Sequence, residues 1–162
     1  PWARLQPFAR ACTPLIKSYP RLSDPIPWPP FAYVPGQNAR HPEDWFDAIK
    51  ATAFEGPITD SQAWQVGLAY LEAGYFWECH EVLEAAWMAL PNPSPERDIC
   101  QAVIQLANAR LKIKMGKPRA VLRLCDMVVD LVGAQRGSIL GLDMRQILQW
   151  SEEARDTAQK MQ

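Results

Sequence analysis

The sequence predicts an all-α fold, a compact multi-helix bundle of two tetratricopeptide-like helical hairpins with an extended proline-rich N-terminal arm. Three observations predict it. No segment alternates apolar and polar residues over a useful length, which argues against strands. From His41 onward, helix start and stop signals recur at regular intervals. A weak internal repeat, offset by 42 residues, aligns Gly74, Phe76, Cys79, Leu83 and Ala86 with Gly116, Pro118, Val121, Cys125 and Val128.

The elements follow in order. Ten of the 15 prolines fall in residues 1–42, and proline lacks the amide donor that a helix interior needs. Trp2, Phe8, Leu15, Ile16, Trp28, Phe31 and Tyr33 give this stretch apolar anchors, so it should wrap the helical body. Pro42 suits the first turn of a short helix through Trp45, Phe46, Ile49 and Phe54, closed by Gly56-Pro57. Thr59 or Asp60 can cap a helix over 61–73, which Gly74 ends. A second long helix should run to Leu90, where the prolines at 91, 93 and 95 force a stop. A third spans 96–115 and ends at Gly116, a fourth spans 118–133, and a last follows Asp143. The chain is read as one domain, 1–162, with an arm (1–42), a helical core (43–133) and a C-terminal loop and helix (134–162).

Composition narrows the partners. Lys and Arg number 17 against 18 Asp and Glu, so no overall field draws the chain to nucleic acid or to an anionic membrane. No apolar run reaches 18 residues. Cys12, Cys79, Cys100 and Cys125 are widely spaced without a C-x-x-C pair, which favours reduced, buried thiols in a cytoplasmic protein.

Residues 75–87, YFWECHEVLEAAW, carry the candidate chemistry. At about 100° per residue, His80, Glu84 and Trp87 share one stripe, flanked by Trp77 and Glu81, while Cys79, Val82, Leu83 and Ala86 form the opposite side. The next helix places Gln101, Gln105, Asn108 and Lys112 on a single polar line among apolar neighbours. An unpaired buried amide costs about 1–3 kcal/mol, so such a line is either wet or matched. The matched reading pairs Gln101 and Gln105 with His80 and Glu84 across the helix interface; the other makes the line a solvated face.

The segment HEVLE differs from the H-E-x-x-H zinc helix only in that Glu84 replaces the second histidine. His80 and Glu84 can still clip a divalent metal at i and i+4. The chain's other histidine, His41, is the candidate third ligand, giving a two-histidine, one-carboxylate set suited to iron, manganese or zinc. Glu81 is placed to act as a base, whereas Glu78 lies too far round the helix from Glu84. A second cluster, Arg110, Lys112, Lys114, Lys117, Arg119 and Arg123, surrounds the Gly116 turn and suits either bulk solvent or an anionic ligand or acidic partner.

Residues 74–87, GYFWECHEVLEAAW, together with QAVIQLANARLKIKMGKPRAVLRL at 101–124, resemble the prokaryotic family catalogued as domain of unknown function 309. The upstream YVPGQNARHPED, residues 33–44, looks like the segment that precedes that core; Ala39 and Cys79 depart from the proline and alanine expected there. The resemblance implies a small all-helical bundle and carries the label of metal-dependent hydrolase, with no substrate attached. Two functions follow as expectations. One is a protein that binds a divalent metal or small molecule at His80, Glu84 and His41, with Glu81 as base and Gln101, Gln105, Trp77 and Trp87 around them. The other is a non-catalytic helical interaction module, binding a protein or forming a homo-oligomer, whose polar centre is structural.

Overall fold

A computed structural model describes residues 25–162. Residues 1–24, including the expected anchors Trp2, Phe8, Leu15 and Ile16 and the thiol of Cys12, lie outside the described residues. Six helices follow the arm: α1 (Asp47–Ala51), α2 (Gln62–Ala73), α3 (Phe76–Ala89), α4 (Pro95–Lys114), α5 (Pro118–Val132) and α6 (Met144–Lys160). Between α5 and α6 a two-residue strand β1 (Ser138–Ile139) pairs antiparallel with β2 (Leu142–Asp143). The helical class is as expected, and the hairpin is an addition. Its strands are too short to show a period-two pattern, and Leu140 and Gly141, both at positive φ, make the tight turn.

Caps set the boundaries. Ser61 Oγ accepts from the Trp64 amide, so Ser61 opens α2 and the expected cappers Thr59 and Asp60 sit instead in a 3-10 turn before it. The expected helix through Trp45 and Phe54 shortens to α1 plus a 3-10 turn, Thr52–Phe54. Gly74 ends α2 at φ 90°, a left-handed conformation that an L side chain resists. Ser94 caps α4 ahead of Pro95, and Asp143 caps α6 through the Arg145 amide.

Helix α2 packs against α3, α3 against α4, α4 against α5, and α5 against α6. Gly67 lets α2 and α3 approach, because a Cβ there would run into the Leu83 side chain. The repeat positions Cys79, Leu83 and Ala86 on α3, and Val121, Cys125 and Val128 on α5, are all fully buried. Contacts along the α3–α4 pair fix an antiparallel register: Cys100 Sγ reaches the Leu83 carbonyl, and Lys114 Nζ reaches the Gly74 carbonyl. The outward faces of α3 and α4, with the His80 stripe and the amide line, therefore lie on the same side of the bundle.

Candidate functional site

The described part of the arm does wrap the body, and it does so around one carboxylate. Asn38 folds the arm into a loop, its Oδ1 accepting from the Val34 amide and its Nδ2 donating to the Ala32 carbonyl. Gln37 Nε2 donates to the Lys114 carbonyl at the end of α4, and Tyr70 Oη donates to the Pro27 carbonyl. Trp28 packs over Tyr70 and Tyr75 at the α2–α3 turn. At the centre His41 Nε2 lies 2.6 Å from Glu78 Oε2, with side-chain exposures of 1% and 0%. The Tyr33 amide donates to the same oxygen at 2.8 Å. Phe31 stacks on the imidazole at 4.8 Å between ring centres, and Tyr33, Trp45, Phe46 and Trp77 close around it.

A buried carboxylate needs compensation. Glu78 stands in the first turn of α3, where the positive end of the helix dipole favours an anion, and its Oε2 takes two donors. Its Oε1 is buried without a partner among the described residues. Burial, and after it the charge of Glu78, raises the phenols of Tyr70 and Tyr75. Burial raises the Cys79 thiol well above its usual range, with Cys100 and Glu78 adding to it, and pushes Cys100 up to about 12. These thiols are unpaired and buried, and so is Cys125. None of the three is a ready thiolate nucleophile near neutral pH.

The expected site residues separate into two groups. His41, expected beside His80 and Glu84, lies on Glu78, on the inward side of α3. His80, Glu81 and Glu84 stay together on the outward side. His80 Nε2 is 3.8 Å from Glu84 Oε2 and its Nδ1 is 4.0 Å from Glu81 Oε1, both longer than a hydrogen bond. Glu81 is held instead by Lys50 Nζ at 3.0 Å. Gln105 accepts from Asn108 within α4, and among the described residues no hydrogen bond joins Gln101 or Gln105 to His80 or Glu84. Trp77 belongs to the His41 cluster, with Arg40 over its ring, while Trp87 stacks under Arg97 at the far end of α3. Among the described residues no group of three or more His, Cys, Asp or Glu could hold a metal ion.

One signal for Glu78 was in the sequence. It shares its stripe with Val82, Ala85 and Ala86, at i+4, i+7 and i+8, so it is a lone acid on an apolar face. Such a residue asks for a partner from outside its own helix.

The class is thus an all-α domain in which an N-terminal arm is bolted to a helix bundle through a buried imidazole–carboxylate pair. Residues 64–124, from Trp64 in α2 to Leu124 in α5, match the family model described as Domain of unknown function (DUF309). No curated protein and no solved structure matches the chain. The family description names no activity. No helix among the described residues is long and apolar enough to cross a membrane.

Proposed function

We propose that this domain is a non-catalytic helical interaction module whose imidazole–carboxylate centre is structural. The observation that carries this reading is the closure of the His41–Glu78 pair: both side chains are sealed under the arm by aromatic rings, so no substrate meets them while the arm is seated. Its surface supplies what a docking face uses. Phe54, in the 3-10 turn ahead of α2, and Met88, in the last turn of α3, are each 62% exposed. The buried, unpaired thiols support a reducing, cytoplasmic setting. The test is solution mass as a function of concentration, read with partner capture on the wild type and on Phe54→Ser/Met88→Ser. The expected result is a self-associated or partner-bound species lost in the double variant. A monomer with no partner dependent on that face ends the reading.

A second reading has its own observation in favour. His80 is 28% exposed, with a carboxylate within 4.0 Å of each ring nitrogen, and Gln101 and Gln105 are half-buried on the adjoining helix. Such a cluster suits a small divalent metal or hydrogen-bonding ligand held by His80 and Glu84, with Glu81 as the base of a hydrolytic step. His41 takes no part in it while it is engaged by Glu78. Metal content of tag-free protein, compared with His80→Ala, decides this; equal content in the two rules the site out.

A further inference from the structure

The six-cation cluster around the Gly116 turn divides in three dimensions. Arg110 turns inward, over Trp150 and against Glu153, and Lys114 lies over Phe76 on the α3 side. Lys112 continues the amide line of α4, and the other three, Lys117, Arg119 and Arg123, with Pro118, Ala120 and Gln162, line a concavity of about 550 Å³ beside the start of α5. That size falls within the range of small-ligand sites.

Among the described residues none of these three cations forms an ion pair. The closest acid along α5, Asp126, is one turn beyond Arg123, and Arg155 takes it at 2.6 Å. Arg119 and Arg123 are four apart on one helix, a like-charge spacing that costs a few tenths of a kcal/mol, about 0.2–0.5. The first turn of α5 has no acidic residue and no side-chain cap. The near-zero net charge also conceals a segregation. Residues 43–84 hold nine acids against the single cation Lys50, and residues 97–123 hold seven cations against the single acid Asp98. The concavity's three cations belong to the basic stretch, and such a local excess concentrates an anion.

We infer that this concavity is a binding site for a small phosphate-bearing ligand, gripped by Arg119, Arg123 and Lys117. Arginine forks fit phosphate oxygens in pairs. The uncapped amides of Arg119 and Ala120 point the same way but are secondary to the three side chains. Among the described residues no aromatic side chain lines the concavity, so they offer no stacking surface for a nucleobase. The recognised group is therefore the phosphate itself, free or on a sugar or peptide.

The test is a titration of the full chain with inorganic phosphate, glycerol phosphate and a phosphoserine peptide at constant ionic strength, following backbone amide signals. Saturable shifts confined to residues 117–123 are expected. Arg119→Glu/Arg123→Glu should weaken binding by about tenfold or more while leaving the helical circular dichroism and melting temperature unchanged. The three ligands tell a free phosphate from one carried on a sugar or a peptide, and saturation by any of them supports the site. Shifts that never saturate and spread over all surface cations overturn it, as does a double variant that binds like wild type. Binding of a single-stranded oligonucleotide that tightens with length, with no saturation by small phosphates, also overturns it in favour of a nucleic-acid surface.

Discussion

Replacing Glu78 by alanine puts the central claim about the arm at risk. The carboxylate oxygen it removes accepts from His41 Nε2 at 2.6 Å and from the Tyr33 amide at 2.8 Å. Both donors are then left under the arm, and each buried unsatisfied group costs about 1–3 kcal/mol, or about 2–6 together. Against a total stability of about 5–15 kcal/mol, the variant should still fold but melt early. His41→Ala should cost a similar amount, because it strands the carboxylate. The double variant strands only the Tyr33 amide, about 1–3 kcal/mol, so its loss should fall short of the sum of the singles by about 3 kcal/mol or more. Urea unfolding followed by tryptophan fluorescence gives the three values, since Trp45 and Trp77 flank the imidazole. Hydrogen exchange should show residues 25–42 losing protection in both singles. A cost below about 1 kcal/mol for Glu78→Ala, or strict additivity in the cycle, refutes the reasoning.

Two further outcomes follow from features elsewhere in the bundle. Gly67→Ala gains helix propensity but drives a methyl group into Leu83, for a net loss of about 1–2 kcal/mol readable as a lower melting temperature; a stabilised variant contradicts the close α2–α3 approach. Stability should fall as pH rises above about 9. The buried Cys100 thiol keeps its proton up to about 12, while in the unfolded chain it ionises from about 9 upward, so the folded state binds more protons in that window and loses ground by up to about 1.4 kcal/mol per pH unit. Denaturant titrations at pH 7, 9 and 10 measure the slope, which should be shallower in Cys100→Ala, with the buried Cys79 thiol supplying what remains.

Much of the fold could be read from the residues because its punctuation is local. Gly74, the prolines after Leu90, Gly116 and Asp143 each act within a turn of the chain, and each stops or starts a helix close to where its chemistry says. The partition of α3 was legible for the same reason: Cys79, Val82, Leu83 and Ala86 are inward and fully buried. What was not legible was which carboxylate His41 would find. That choice depends on the path of the loop between Ala32 and His41, which Asn38 sets through two backbone bonds, and no periodicity describes such a path. The amide line of α4 was correctly seen as polar, but its partner depends on how deeply α3 and α4 mesh, which the sequence does not encode in any short window.

The bond from Gln37 to the Lys114 carbonyl joins residues 77 positions apart. Two of the arm's attachment points are made after the arm itself: Glu78 once α2 is complete, and the Lys114 carbonyl only when α2, α3 and almost all of α4 have been made. The arm is therefore fully fastened only as α4 ends, and a nascent chain halted before residue 114 has nowhere to fasten the Gln37 bond.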